Sequence, residues 1–277
     1  MSGLETWYNN VKSNNFYFEI ARGTISGHYC YKKFGANFDV AVTAEETIWN
    51  AVTHGGNAKY SYLSAAIQLK ISSSDVDDTA DGTGARTVEI QGLNSDWKFI
   101  KETISLNGQT EVLTVNSYIR IFRMRVLTVG SSGQNEGNIW AGTGTVTLGV
   151  PANKYALIEY SATLLMNQTL MSVFTIPAGY TGYLHFLDTY IQGGRNGRVS
   201  MLTRDNTNSG PFQLKRIIPL KDGEDRRFYE IPIILPEKTD IEFRGINEDA
   251  SLTLFFGCTF DIVLAKNNNT VEDIDIH

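Results

Sequence analysis

Apolar and polar residues alternate along residues 251–264, and this pattern restricts the fold more than any other in the sequence. A period of two puts one set of side chains on each face of a β-strand, whereas a helix would spread them around its axis. The pattern predicts a strand with one face in a hydrophobic core. Its apolar set consists of Leu252, Leu254, Phe256, Cys258, Phe260, Ile262 and Leu264.

Short runs rich in Val, Ile, Thr, Tyr and Phe recur along the chain, separated by Gly, Asn, Asp and Ser, which is typical of strands and turns. They predict strands over residues 87–91, 97–106, 118–129, 155–160, 170–176, 183–192, 199–203, 212–220, 228–235 and 241–243. Asn107-Gly108 favours a tight hairpin after the second of these. Parallel strands need long crossover connections, and this sequence has little helix between its strands, so we predict antiparallel pairing. The predicted fold class is therefore all-β, an antiparallel β-sandwich or barrel, and a jelly roll is the preferred version.

The run over residues 118–129 changes phase near its middle. Ile119 and Ile121 share one parity, whereas Met124 and Val126 share the other. Either a β-bulge near Phe122 or burial of both faces would account for this change.

The N-terminal part of the chain has a different composition. Residues 1–82 mix aromatic-rich pieces with stretches of Gly, Asn and Ser, and end in a segment rich in Ser, Asp, Gly and Thr. We predict an extended N-terminal arm over residues 1–82, a β-sandwich over 83–266 and a polar tail over 267–277. A single fold with an N-terminal lasso remains open.

Charge and composition exclude several classes of protein. The 24 Lys and Arg against 30 Asp and Glu give a formal charge of -6 over 277 residues, whereas a dedicated nucleic-acid binder needs a positive surface. Hydrophobic residues make up 42%, enough for a core. No apolar run reaches the roughly 18 residues of a membrane-spanning helix. We expect a folded protein without nucleic acid or membrane as a partner.

Residues for catalysis are sparse. The histidines are His28, His54, His185 and His277, and no Gly-x-Ser-x-Gly motif presents a serine. Two distant cysteines form neither a disulfide framework nor a zinc site, and the parity of Cys258 predicts a buried thiol. No spacing pairs two carboxylates as a glycosidase requires. We predict no catalytic residue, no cofactor and no metal site.

Two charged clusters have simple interpretations. The acidic loop with Asp75, Asp77, Asp78 and Asp81 lacks the spacing of a calcium-binding loop, so we interpret it as a solvated turn. Arg120, Arg123 and Arg125 form a basic cluster, in which Arg123 and Arg125 share an outward face. That face either binds carboxylates of a partner subunit or is ordinary polar surface.

Several strand-and-turn segments match a known group of proteins. They are Phe16-Tyr-Phe-Glu-Ile-Ala-Arg-Gly23, Lys33-Phe-Gly-Ala-Asn-Phe-Asp-Val40, Glu46-Thr-Ile-Trp-Asn50, Gly82-Thr-Gly-Ala-Arg-Thr-Val-Glu-Ile-Gln-Gly-Leu-Asn94, Thr103-Ile-Ser-Leu-Asn-Gly108, Ser117-Tyr-Ile-Arg-Ile-Phe-Arg-Met124, residues 129–139, Ile176-Pro-Ala-Gly-Tyr-Thr-Gly-Tyr183, Leu235-Pro-Glu-Lys-Thr-Asp-Ile241 and Phe260-Asp-Ile-Val-Leu264. Over residues 16–265 the chain resembles virion structural proteins of tailed bacteriophages, especially those of environmental and marine origin.

The resemblance implies a non-enzymatic component of the virion, assembled in the host cytoplasm. It implies a capsid decoration or head-fibre protein, with a tail position as an alternative, and transfers no functional residue. The expected partners are further copies of this chain and the major capsid protein or other virion proteins.

Two other functions remain open at this stage. One is a carbohydrate-binding module of a tail or fibre, in which exposed Trp97 and Trp140 stack on sugar rings. The other is a glycan hydrolase with a carboxylate pair that the sequence does not reveal.

Aromatic side chains of the predicted arm are candidates for subunit contacts, because each large apolar side chain that becomes fully buried contributes roughly 1.5–3 kcal/mol. Packing on their own sandwich is the alternative. The predicted interface residues are Trp7, Tyr8, Phe16, Tyr17, Phe18, Arg123 and Arg125.

Overall fold

Strands dominate the structure, so the predicted all-β class is confirmed. The computed structural model describes residues 15–42, 44–221, 223–249 and 253–267. Its helices are α1 (Phe16–Ala21) and a 3-10 helix (Asn50–His54). Its strands are β1 (His28–Val40), β2 (Glu45–Thr47), β3 (Ile67–Ser73), β4 (Ala85–Leu93), β5 (Phe99–Ser105), β6 (Val112–Tyr118), β7 (Arg120–Val129), β8 (Ile139–Thr147), β9 (Val150–Ile158), β10 (Val173–Thr175), β11 (Tyr180–Ile191), β12 (Asn196–Asp205), β13 (Gln213–Lys221), β14 (Glu224–Leu235), β15 (Thr239–Asn247) and β16 (Leu254–Lys266).

Strand β1 and strands β10–β16 form a jelly roll. Their two antiparallel sheets have the strand orders β1-β16-β11-β14 and β10-β15-β12-β13. Every connection among these eight strands crosses between the sheets, except the one from β12 to β13. Strand β2 extends the second sheet by pairing with β15. This order is that of an eight-stranded, double-sheet jelly roll, so the preferred version of the sandwich is confirmed.

Strands β3–β9 form a second sandwich, which is inserted between β2 and β10. Its sheets have the strand orders β6-β3-β8-β9 and β5-β4-β7. It has a hydrophobic core of its own, in which Leu69, Ile90 and Trp140 are buried. The jelly roll thus carries a second sandwich, which we call the insert, in the connection between its first two strands.

Strand β16 confirms the alternating pattern from Leu254 to Leu264, whereas Leu252 lies outside the described residues. It lies between β1 and β11, and its inward face contributes Phe256, Cys258 and Phe260 to the core of the jelly roll. Thr259 and Asp261 on the other face are only partly buried. The alternation therefore identified a central strand and the face that it buries.

A β-bulge at Phe122 accounts for the change of phase in β7. Arg123 pairs with Gln91 and Ile121 pairs with Gly92, which leaves Phe122 between them without a partner in the ladder. The Phe122 ring lies 4.8 Å from the ring of Phe174 in the jelly roll. The bulge thus turns a side chain of the insert into the core of the other sandwich.

A buried ion pair also joins the two sandwiches. Arg120 of the insert donates from Nε and Nη2 to both carboxylate oxygens of Asp240 in β15, at 2.8 and 3.0 Å. Arg204 of β12 and Thr175 of β10 donate to the same carboxylate. Burial alone would raise the pKa of Asp240, but the hydrogen bonds and charges of Arg120, Thr175 and Arg204 lower it. Asp240 therefore stays ionised although its side chain is buried.

The predicted hairpin at Asn107-Gly108 is wrong. Gly108 does have a positive φ of 58°, as a tight turn requires. However, β5 pairs with β4 and β6 pairs with β3, so the turn connects two different sheets of the insert. Its carbonyl accepts from the amide of Ser73, which fixes the crossing.

The described part of the predicted arm is built into the sheets. Strand β1 pairs with β16 from His28 to Val40, and β3 lies inside the insert. The strands of residues 83–266 therefore divide between two sandwiches rather than forming one. Residues 1–14 and 268–277 lie outside the described residues, so a free arm and tail there stay predictions. No described helix has the length and apolar character needed to cross a bilayer.

The two cysteines test the register of β16. Burial raises the pKa of the Cys258 thiol, and the thiolate is the reactive form. In Cys30→Ser, where only Cys258 remains, we expect thiol labelling to be slow in the native protein and fast in denaturant. In Cys258→Ala, the half-buried Cys30 should react faster in the native state. Rapid native labelling of Cys258 would contradict the register.

The junction between the sandwiches predicts a strong stability effect. Asp240→Asn leaves Arg120 buried without its counterion, which should cost about 3–5 kcal/mol of unfolding free energy. Arg198→Gln removes an exposed ion pair with Glu248 and should leave the denaturation midpoint nearly unchanged. Because the pKa of Asp240 is lowered, its contribution is present above the unfolded value and lost as the pH falls through the folded value. Chemical denaturation at several pH values measures both effects.

Candidate interaction surfaces

The jelly roll has an open side formed by its edge strands β13 and β14. Five large apolar side chains of these strands are exposed: Leu214 (54%), Ile217 (53%), Phe228 (75%), Ile231 (86%) and Ile234 (63%). We call these residues the open-edge surface. A groove of about 530 Å³ lies beside Ile234, between one end of β14 and the segment that leads from β12 into β13. Sequence reasoning identified both strands but not this exposure, because alternation does not reveal which sheet edge lacks a neighbour.

A polar contact holds the two edge strands together. Arg216 of β13 donates to the Tyr229 hydroxyl of β14 at 3.0 Å, and its guanidinium group lies 5.2 Å from the centre of that ring. Pro219 and Pro232 lie in these strands and lack an N–H for pairing with a further strand. A partner would therefore contact this side mainly through side chains.

Helix α1 exposes the aromatic residues that were predicted as contacts. Asn15 caps the helix by accepting from the amide of Phe18 at 3.1 Å. The Tyr17 ring stacks on His185 of β11 with ring centres 4.2 Å apart. Phe16, Tyr17 and Phe18 are all exposed, whereas Trp7 and Tyr8 lie outside the described residues. The helix therefore sits on the β1-β16-β11-β14 sheet with apolar surface still open, and its role as an interface stays a prediction.

Arg123 and Arg125 share an outward face of β7. Arg123 donates to the carbonyl of Lys32, and its guanidinium group lies 4.9 Å from the centre of the Tyr31 ring. Arg125 pairs with Glu89 at 2.9 Å. Arg120, in contrast, is buried in the junction. Each arginine thus has a partner within the chain, and contact with a second subunit stays a prediction.

Trp97 and Trp140 do not form a sugar-binding platform. Trp140 is 1% exposed in the core of the insert, so the expectation that it stacks on a ligand is wrong. Trp97 is partly buried, with a positive φ of 62°, and the Arg120 guanidinium group lies 4.7 Å from its ring centre. Neither ring is presented as a free flat surface.

The described residues contain no nucleophile activated by histidine. His54 pairs with Glu159 at 3.1 Å, and His185 stacks on Tyr17. The Nδ1 atom of His28 lies 3.0 Å from the backbone carbonyl oxygen of Ser26. Cys258 is buried and its raised pKa keeps it a thiol. These positions offer no base for acyl transfer.

The acidic loop is more ordered than a solvated turn. Asp78 is fully buried and accepts from Ser73 Oγ at 2.6 Å and from the amides of Ala85, Glu136 and Gly137. The prediction was therefore wrong for Asp78, which fixes the loop against the insert. Asp75, Asp77 and Glu136 place carboxylate oxygens within 4.8 Å of one another, a set of oxygen ligands that suits a hard cation.

Comparisons with known proteins find similarity in solved structures alone. No family model matches the chain, and no curated protein matches it. A chain in a structure of the infectious bursal disease virus Gx strain is 11% identical, with a TM-score of 0.28, over 88% of this chain and 73% of that chain. A chain in a structure of the Gt strain is 10% identical, with a TM-score of 0.23, over 92% of this chain and 79% of that chain. A chain in a structure of T=1 particles derived from infectious bursal virus is 10% identical, with a TM-score of 0.20, over 89% of this chain and 71% of that chain.

Proposed function

We propose that this protein is a non-enzymatic structural component of a bacteriophage virion. More specifically, we propose a capsid decoration or head protein that self-associates and binds neighbouring capsid subunits. The observation that carries this proposal is the open-edge surface. The resemblance of the sequence to virion proteins of tailed bacteriophages favours the phage particle as its location.

The open-edge surface supports a protein contact on energetic grounds. An aromatic side chain has roughly 150–250 Å² of surface, so Phe228 at 75% exposure leaves roughly 110–190 Å² in water, and the four aliphatic side chains add to this area. Each partner in a standard interface buries about 800 Å². Phe228, Ile231 and Ile234 follow one another along the exposed edge strand β14, and contiguous exposed apolar patches often mark interaction sites in folded proteins. A second copy of the chain or a capsid subunit would remove it from water.

The remaining features fit a structural role better than the alternatives. Jelly rolls serve both as capsid domains and as lectin domains, so the fold by itself does not choose between these functions. A lectin would present open aromatic rings, whereas Trp140 is buried and Trp97 is covered by Arg120. The histidines of the described residues contact other groups of the chain and Cys258 is buried, which favours binding over catalysis.

The proposed partners are further copies of this chain and the major capsid protein or other virion proteins. Nucleic acid is not among them, because the formal charge of -6 opposes binding to phosphates. Helix α1 offers a second contact through Phe16 and Phe18, which are half exposed.

Substitution of the open-edge surface should prevent self-association. We expect the wild-type chain to form an oligomer whose mass rises with concentration in sedimentation velocity. The double variant Phe228→Glu, Ile231→Glu should stay monomeric, because the charges would have to be buried in the interface. Both side chains are exposed, so folding should be retained, which circular dichroism checks.

Val115→Glu is the matched control. Val115 is 85% exposed on β6 of the insert, away from the open edge, and its substitution should leave the oligomer intact. A double variant that assembles like the wild type would contradict the proposed surface. Antibody labelling of purified particles in the electron microscope tests the location, and unlabelled particles would contradict a virion role.

A further inference from the structure

A pocket with two arginines in its lining opens where the jelly roll meets the insert. It has a volume of about 360 Å³. The segment before β3 contributes Tyr62, the insert contributes Trp97 and Arg120, and β12 with the turn after it contributes Arg204 and Ser209. No Asp or Glu is among the described residues of this lining. The pocket shares no residue with the open-edge surface.

Arg204 has hydrogen-bond donors that the protein itself does not use. Its Nε and Nη2 atoms donate to the Oδ2 atom of Asp240 at 2.9 and 2.6 Å. These two atoms lie on one edge of the planar guanidinium group, so Nη1 points away from Asp240. In the described part of the chain, no group accepts a hydrogen bond from Nη1. Asp240 is fully buried, whereas the side chain of Arg204 is 23% exposed and lines the pocket, so these donors are available to a ligand.

Neighbouring side chains hold the Arg204 guanidinium group in place. Its central carbon lies 4.5 Å from the ring centres of both Tyr62 and Phe212. The Tyr62 hydroxyl donates to Glu242 at 3.1 Å, and the Arg120 guanidinium group lies 5.0 Å from the centre of the Tyr62 ring. Because Arg204 is already fixed between these partners, binding a ligand would cost it little side-chain entropy.

The charges around the pocket match a ligand with one negative charge. The two arginines, Arg120 and Arg204, share the single carboxylate of Asp240, which leaves one positive charge. Glu242, the next carboxylate, is balanced by Arg244. A monovalent carboxylate would neutralise the remaining charge, whereas a phosphate dianion would exceed it. All N–H donors of Arg120 bond within the chain, so this residue contributes charge rather than a direct contact.

We propose that this pocket binds a carboxylate group. Arg204 would donate from Nη1 to a carboxylate oxygen, and charge-assisted bonds of this kind are about twice as strong as neutral ones. The hydroxyl of Ser209, an exposed residue of the lining, offers a further donor. The carboxylate comes either from a free small acid or from an acidic side chain of a second copy, and the pocket does not depend on the proposed function.

Acetate is a suitable probe, because it carries a carboxylate and little else. In an NMR titration at constant ionic strength, we expect the indole N–H signal of Trp97, whose ring lines the pocket, to shift saturably. Arg204→Gln should weaken acetate binding by about tenfold or more, since it removes hydrogen bonds to a charged group. Arg198→Gln is the matched control, because Arg198 lies on the same strand but pairs with Glu248 outside the lining. It should bind acetate like the wild type.

Two substitutions of Arg204 separate binding from folding. The amide of Arg204→Gln can still donate to Asp240, which also keeps Arg120 and Thr175 as partners. Arg204→Lys keeps the positive charge beside Asp240 but lacks the planar group that carries Nη1, so it should also bind acetate more weakly. Chemical denaturation checks that both variants fold. A wild-type Trp97 signal that does not shift, a folded Arg204 variant that binds like the wild type, or an Arg198→Gln protein that loses binding equally would overturn the proposal.

Phosphate and sedimentation velocity test the identity of the ligand. Tighter binding of phosphate than of acetate, at a pH where phosphate is a dianion, would overturn the assignment to a carboxylate. A fall in the mass of the oligomer in acetate assigns the pocket to an acidic side chain of a second copy, whereas acetate binding with an unchanged mass assigns it to a free acid. Self-association through the open-edge surface is tested by the Phe228→Glu, Ile231→Glu variant, so the two proposals fail separately.

Discussion

The buried contact between Arg120 and Asp240 fixes the two sandwiches relative to each other. All five N–H donors of Arg120 are used, three of them on Asp240 and Asn206 and two on the carbonyls of Leu63 and Ile119. Such a pair is tolerated in a dry interior only because every polar group has a partner. The bulge at Phe122, two residues further along β7, packs its ring against Phe174 of the jelly roll. Polar and apolar contacts thus hold the insert in one orientation.

Local patterns predicted the fold best where a strand alternates cleanly. Strand β16 shows this, and so does β7, where the break in alternation at Phe122 coincides with the bulge. Strand β1 escaped recognition because it mixes buried Tyr31 with buried Lys33 and Asn37, which a polarity pattern assigns to solvent. Its partner β16 lies more than 200 residues away. Pairing over such a distance leaves no trace in local spacing, so the division into jelly roll and insert could not be predicted.

The candidate surfaces were predicted less well than the fold. Exposure of Phe16, Tyr17 and Phe18 agrees with the prediction that they are available for contact, but the open-edge surface was missed. Phe228, Ile231 and Ile234 have the composition of a buried strand, and only the order of strands in the sheet shows that β14 is an edge. Asp78 and Lys33 were missed for the opposite reason, since a charged residue gives no sign in the sequence that it is buried.

The position of the insert has a consequence for the order in which the chain folds during synthesis. Strands β3–β9 follow one another within residues 67–158 and form their sheet ladders with one another, so most of the insert can close before β10 leaves the ribosome, although Val173 of β10 later joins its core. Strand β1, in contrast, is made early but pairs with β16, the last of the described strands to be made. The edge of β1 that pairs with β16 therefore stays unpaired until almost the whole chain has been synthesised. The jelly roll is therefore completed last, around a neighbour that is already folded.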